Sequence, residues 1–218
     1  MREYHKIQSI FKRNPETKKF IEGQWSLPEF EYLQNNRWIL TEKVDGTNIR
    51  VGWDGEEIKF GGRTENAQIP VFLYDKLRQI FKGKEATFIE IFGDWNTPPV
   101  GEMSEVVLFG EGYGAKIQKG GGNYNPTGVD FVLFDVCVGS WWLKREAVEN
   151  VAEKLELRVV PIVGIATLPQ AVGIVKNRYL KSAWGNFLAE GLVLRPEVEL
   201  QTRGGVRIIT KIKHKDFE

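Results

Sequence analysis

Lys43 stands at the end of an apolar run, just ahead of an Asp-Gly turn, in the stretch TEKVDGTNIR that covers residues 41–50. A lysine amine can hold an anion. It can also attack an electrophile, but only after losing its proton, which burial or neighbouring cations promote. On these residues alone, an Asp-Gly hairpin with a solvated lysine at its mouth accounts for the pattern. Further segments carry groups to be read with it: GGRTE with Arg63, FGEGYG with Glu111, FVLFDV with Phe134, EGLVLR with Glu190, and TKIK with Lys211 and Lys213. Each has a plain reading by itself. Arg63 reads as a surface arginine, Glu111 as part of a glycine turn, Phe134 as core and Glu190 as a solvated strand end. Lys211 and Lys213 alternate with Ile212, so both face one side of a strand, commonly the wet side.

Together, and in this order, the segments resemble the covalent nucleotidyltransferase superfamily: ATP-dependent DNA and RNA ligases and messenger-RNA capping enzymes. EKVDGTN is similar to that family's first motif, a nucleophilic lysine followed by x-Asp-Gly. FGEGYG resembles the third motif, FVLFDV the aromatic strand after it, EGLVLR the fourth and KIK the fifth. The resemblance runs from Thr41 to Lys213 and is closest to the RNA ligase 2-like group of phage and RNA-editing ligases. Asn48 stands where DNA ligases carry arginine, and Glu42 precedes the lysine as in the RNA-ligase form. One departure is Asp45, where several RNA ligases have histidine.

The resemblance implies an ATP-dependent RNA ligase, a phage-like RNA-repair activity. Lys43 would take AMP from ATP, pass it to a 5′-phosphate end, and the enzyme would then join that end to a 3′-hydroxyl. The alternatives are a DNA or hybrid-nick ligase and a catalytically inactive nucleotide- or RNA-binding module. Lys211 and Lys213 would supply cations around Lys43 and the phosphates. Phe134 would stack on adenine and Glu111 would accept from the ribose hydroxyls. Arg63 would contact the ribose or strand phosphate, and Asn48 would lie near the α-phosphate and the reactive 3′ end. Glu42 and Val44 would flank the adenine edge through backbone groups. Magnesium or manganese is the implied cation, with Glu190 as its first candidate ligand and Asp45 as the second.

Composition permits this and narrows the setting. Of 218 residues, 42% are hydrophobic and 27% charged, an ordinary soluble balance. The net charge of +1 makes no case for nucleic acid in bulk, yet leaves room for a local basic groove. Cys137 is the one cysteine, so no internal disulfide can form, and an intracellular, cytoplasmic home is expected, with the host cytoplasm as the site of action if phage-encoded. No apolar run is long enough to span a membrane, so no membrane partner is expected.

The elements that must position these residues read as α+β with mostly antiparallel sheets flanked by helices, a single nucleotidyltransferase domain of the ATP-grasp-like adenylylation kind over residues 1–218. Residues 1–25 read as a basic arm with Lys12, Arg13, Lys18 and Lys19. SLPE at 26–29 reads as a capping box opening a helix. RWILTEK reads as a buried strand, residues 48–63 as a hairpin turning at Asp54-Gly55, and residues 71–82 as a helix. ATFIEIFG, EVVLFGEG and VDFVLFDVCV read as strands. A helix is expected over about 144–157, then RVVPIVGIA as a strand, then a helix capped by Thr167. Five residues follow Lys213, so no C-terminal OB or accessory domain is expected. The RNA strand would then be held weakly, with help from the arm or from an accessory protein.

Overall fold

The computed structural model describes residues 1–93 and 105–218. Its strands begin with β1 (Gln8–Ser9), β2 (Phe11–Arg13), β3 (Phe20–Trp25), β4 (Trp38–Lys43), β5 (Gly46–Trp53) and β6 (Ile58–Gly61). They continue with β7 (Val106–Gly114), β8 (Val129–Val138), β9 (Trp141–Trp142), β10 (Arg158–Val159), β11 (Ile162–Ala166), β12 (Gly191–Pro196) and β13 (Thr210–Lys213). The helices are α1 (Pro28–Tyr32), α2 (Val71–Phe81), α3 (Glu85–Phe92), α4 (Gly121–Tyr124), α5 (Arg145–Lys154) and α6 (Leu168–Lys176). This is the expected α+β class, with antiparallel pairing throughout except at β1–β13 and β8–β10.

The chain divides into two units. The first comprises Met1–Tyr4 and Asp45–Val160. Its sheet runs β10-β8-β7-β5-β6, with β9 on β8. One face of β5, β7 and β8 buries Ile49, Val51, Trp53, Leu108, Phe131 and Leu133 against helices. Helix α2 contributes Leu73, Leu77 and Phe81, which recur every four residues and so line one stripe. Helix α5 contributes Val148, Val151 and Ala152 in the same way. Arg50 is buried on the opposite side of β5. It donates to the carbonyl oxygens of Gly62 and Met1 and pairs with Glu65 at 2.8 Å, so the charge is satisfied rather than stranded.

The second unit comprises His5–Val44 and Pro161–Glu218. Its sheet runs β1-β13-β12-β4-β11, and β2 and β3 form a separate hairpin. Trp38 and Leu40 from β4 and Leu192 and Leu194 from β12 pack with Leu168, Ala171 and Val175 of α6. Thr167 caps α6 as expected, in a reciprocal box with Gln170. Ile10 and Phe11 lie in this same core, and β1 pairs with β13. The segment expected as a basic arm is folded in from residue 8, because its apolar pair has a core to enter.

Three other expectations change. ATFIEIFG is helix α3 rather than a strand: Phe88 is buried and Ile91 and Phe92 pack beside it, the i, i+3, i+4 spacing of a helix face. Gly93, at φ 92°, ends it by donating to the Ile89 carbonyl. Helix α1 starts after Leu27 without a side-chain cap, since the Ser26 hydroxyl donates to the Ser9 carbonyl instead. RVVPIVGIA splits at Pro161 into β10 and β11, which join different sheets; proline has no N–H to continue a ladder. No helix among the described residues is long and apolar enough to cross a membrane.

The helical reading of residues 85–92 is testable. Phe88→Ala should cost about 3–5 kcal/mol of unfolding free energy as a buried aromatic. Ile89→Ala, on the exposed side of the helix, should stay within about 0.5 kcal/mol. Urea titration of the two variants checks this; equal losses would fit a strand buried on both faces instead.

Candidate active site

Lys43 ends β4, and its position follows from register. Gly191 at the start of β12 lies opposite Lys43 on one side and opposite Lys213 on the other. Residues directly opposite in neighbouring strands face the same side, so both ammonium groups rise from one face of the sheet. Gly191 is required for this spacing. A Cβ there would stand 2.0 Å from the Ile212 carbonyl oxygen and 2.8 Å from the Lys213 Cα. The Glu-Gly pair of EGLVLR thus has a steric reason for its glycine and leaves its carboxylate at the strand mouth.

That carboxylate is the centre of the arrangement. Lys43 Nζ donates to Glu190 Oε2 at 2.6 Å, and Lys213 Nζ approaches Glu190 Oε1 at 2.5 Å. All three side chains are largely buried, with 13–20% of their side-chain surface exposed. Burial pushes the Glu190 carboxyl up, but the Lys43 charge and hydrogen bonds from Lys213 and Lys43 outweigh it and hold it below the ordinary carboxylate value. Lys211 lies half-buried two residues from Lys213 on the same face of β13, opposite Val193. The expected environment of Lys43 was a set of cations. The structure brings one of them, Lys213, to the same carboxylate and adds Glu190 as a direct partner of Lys43.

Glu42, next to Lys43 in the chain and turned to the other face of β4, is buried. Its Oε1 accepts from the Ser182 hydroxyl at 2.6 Å and its Oε2 from the Ala183 N–H at 2.8 Å. Its side chain therefore anchors the turn eight residues ahead of Glu190, a role the sequence did not disclose. Val44 is buried at the end of the same segment.

The first unit carries Asp45, Asn48, Arg63, Glu111 and Phe134. Asn48 on β5 lies opposite Glu111 on β7. Gly46 lets the strands approach: a Cβ there would stand 2.3 Å from the Gly112 carbonyl oxygen and 2.7 Å from Glu111 Cγ. The Asn48 Oδ1 is buried without a hydrogen-bond partner. An unsatisfied buried acceptor costs about 1–3 kcal/mol, so this position suits a donor from a ligand. Asp45 Oδ2 accepts from the Gly120 N–H at 3.0 Å. Phe134 is the extra residue of a β-bulge, where the β7–β8 register shifts, and a bulge re-aims the side chain it carries. Its ring meets Tyr4 edge-on at 5.1 Å, and the Tyr4 hydroxyl donates to the buried Asp135 at 2.6 Å. Arg63 is exposed just past β6. Sequence reasoning missed Tyr4, Asp135 and Arg50. The signal available for the last two was a charge inside an otherwise apolar strand.

The described residues contain no group of three or more His, Cys, Asp or Glu side chains placed to hold a metal ion. The donor set at Glu190 is one carboxylate between two lysines. That suits a cation held mainly by phosphate oxygens and water, the usual habit of magnesium, rather than a protein cage.

Two β-sheet units of this kind, with a lysine–carboxylate–lysine row at the mouth of three adjacent strands, define a nucleotidyltransferase-type fold. A profile of the RNA ligase family matches residues 36–213, and the chain belongs to that family. Among solved structures, a Naegleria gruberi RNA ligase with pyrophosphate is 20% identical with a TM-score of 0.64, over 87% of this chain and 53% of that one. A mutant of the same ligase with ATP and manganese is 19% identical with a TM-score of 0.64, over 97% of this chain and 58% of that one. The chain thus spans a little over half the length of the solved relatives it matches.

The depressed carboxyl of Glu190 has a defined pH signature. Its ion pairs contribute stability in full above the ordinary carboxylate value near 4.5 and lose it as pH falls through the lower folded value. Glu190→Gln should therefore be destabilised relative to the parent at neutral pH, with the gap closing in acid. Urea midpoints from pH 7 downward check this. A gap that widens in acid would contradict the pairing.

Proposed function

We propose that this chain is the adenylylation domain of an ATP-dependent RNA ligase. The observation that carries the reading is the Lys43–Glu190–Lys213 row in the register that Gly191 sets. In the proposed first step the Lys43 amine, once deprotonated, attacks the α-phosphorus of ATP. An N–P bond forms, the bond from the α-phosphorus to the bridging oxygen breaks, and pyrophosphate leaves. AMP then passes to a 5′-phosphate RNA end, and a 3′-hydroxyl displaces it to form the phosphodiester. These are phosphoryl and nucleotidyl transfers, for which placement and charge stabilisation do most of the work.

Glu190 holds and orients Lys43; the amine must lose its proton before it attacks. Lys213 is positioned to share the Glu190 carboxylate, and Lys211 adds a second positive charge for the phosphates. Glu190 is the side chain that would hold a divalent cation, with Asp45 second. When bound with the triphosphate, that cation supplies neutralisation of the leaving pyrophosphate charge. Asn48, Glu111, Arg63 and Phe134 are assigned to the nucleotide on family resemblance, supported by the orphaned Asn48 oxygen and the bulge at Phe134. Glu42 and Val44 stay assigned to the adenine edge through their backbone. An intracellular setting is supported by the single buried thiol, Cys137.

Lys43→Ala should form no protein–AMP adduct with radiolabelled ATP and magnesium, while keeping the parent circular dichroism. An adduct in that variant would remove Lys43 from its role. Labelling of the parent by GTP rather than ATP would indicate capping chemistry, no labelling a binding module, and sealing of DNA nicks in preference to RNA nicks a DNA ligase.

RNA is proposed to meet the β2–β3 hairpin through the exposed Lys12, Lys18 and Lys19, with an accessory protein adding further grip. Deleting the first 24 residues would remove β1 and the buried Ile10 and Phe11, so charge reversal is the cleaner probe. Replacing the three lysines by glutamate should weaken binding of a nicked RNA duplex and flatten its salt dependence, by about 0.9 in slope for each phosphate that the hairpin neutralises. Adenylylation should stay at the parent rate. An unchanged salt slope would clear the hairpin of any role in gripping the strand.

A further inference from the structure

Asp216 lies in the 3₁₀ turn His214–Phe217 that follows β13. Its side chain is 3% exposed, and both oxygens are engaged. Oδ1 accepts from Arg13 Nη2 at 2.7 Å, and Oδ2 accepts from the backbone N–H of Lys213 at 2.9 Å. Arg13, at the end of β2, is itself fixed. It donates to the Lys18 carbonyl at 3.0 Å and to the Ser9 hydroxyl at 3.2 Å. Its guanidinium sits 4.6 Å from the centroid of Phe20, whose ring meets Phe217 edge-on at 5.4 Å.

The residue held by Asp216 is the one whose ammonium sits on Glu190. Lys213 is fixed from the other side by its pairing with Gly191 and by the His214 N–H donating to the Glu190 carbonyl at 3.1 Å. A backbone cap needs only a neutral acceptor. A buried carboxylate needs a cation as well, and a planar guanidinium donating from two nitrogens supplies it in a fixed orientation. The basic cluster at residues 12–19 therefore contains one member with a different task from the others.

We propose that Arg13 and Asp216 form a positioning pair that sets the Lys213 ammonium on Glu190, making the β2–β3 hairpin a determinant of the nucleotidyl-transfer step. This rests on the ligase reading above for its chemical consequence, though not for its geometry. Neither residue touches the reacting atoms; both act through Lys213. An error of about 1 Å in a charged group remote from the bond that breaks is enough to slow a transfer step about a hundredfold, so a partial loosening should be visible in rate.

The test uses the full chain with Asp216→Asn, Arg13→Gln and the conservative Arg13→Lys, each alone and combined with Lys213→Ala. Single-turnover formation of protein–AMP at saturating ATP should fall about tenfold in Asp216→Asn and Arg13→Gln, a coupling of ordinary size for residues in one network. Arg13→Lys should recover part of the rate. In the Lys213→Ala background, neither substitution should slow the reaction further. A second readout needs no activity: brief acetylation with limiting acetic anhydride, quantified by peptide mass spectrometry against the exposed Lys59. Lys213 labelling should rise several-fold in Asp216→Asn and Arg13→Gln. Additive rate losses with Lys213→Ala, or Lys213 labelling unchanged in both variants, would overturn the proposal. Absence of any adduct in the parent would instead defeat the ligase reading, and the acetylation result would still decide the positioning pair.

Discussion

The contact on which the proposed chemistry depends is the shared carboxylate of Glu190, with one lysine on each oxygen. Three charges in a partly buried place are costly to desolvate, and their mutual attraction offsets that only when the geometry is good. The sheet provides the geometry. Lys43 and Lys213 sit on different strands, and β12 between them is the strand that Glu190 precedes. Moving β4 or β13 by one residue would turn a lysine to the opposite face. The apolar residues on the other face of β4 and β12, packed on α6, prevent such a slip. Core packing thus fixes the register, and the register fixes the charges.

The same contact bears on the proposed chemistry. In the ligase reading Lys43 is held in place by a carboxylate, and a cation arriving with the nucleotide would compete for that carboxylate and release the amine.

The supporting contacts follow a consistent pattern. Glu42 ties the turn at Ser182 and Ala183 to the strand that carries Lys43. Asp216 ties the backbone of Lys213 to the β2–β3 hairpin. In the first unit, Asp45 holds the Gly120 N–H, and the Tyr4–Asp135 hydrogen bond lies beside Phe134. In each case a carboxylate next to a motif residue is used for anchorage, so neighbouring acidic groups in these motifs serve different ends. Glycine is the complement: at Gly46 and Gly191 a missing Cβ lets two backbones meet where a functional side chain must emerge.

Much of this was legible in the order of residues. The motif lysines, Glu190 and Glu111 could be singled out because segments resembling known motifs stand in a fixed order, and the structure brings Lys43, Glu190 and Lys213 together. The helices α2, α5 and α6 were identifiable because their apolar residues keep a helical period. Local pattern also misled. ATFIEIFG has strand-like composition, and only the packing of Phe88, Ile91 and Phe92 into a core made it a helix. Arg13 reads as one cation in a basic run, and nothing local marks its pairing with Asp216, 203 positions away. Sequence by itself determined which groups can do chemistry, since that depends on residue type. Tertiary structure decided which charge each group faces, since that depends on register and on contacts between residues far apart in the chain. For Lys43 the structure adds to the expected Lys213 a carboxylate at 2.6 Å, and electrostatic energy at that range is set by distance rather than by composition.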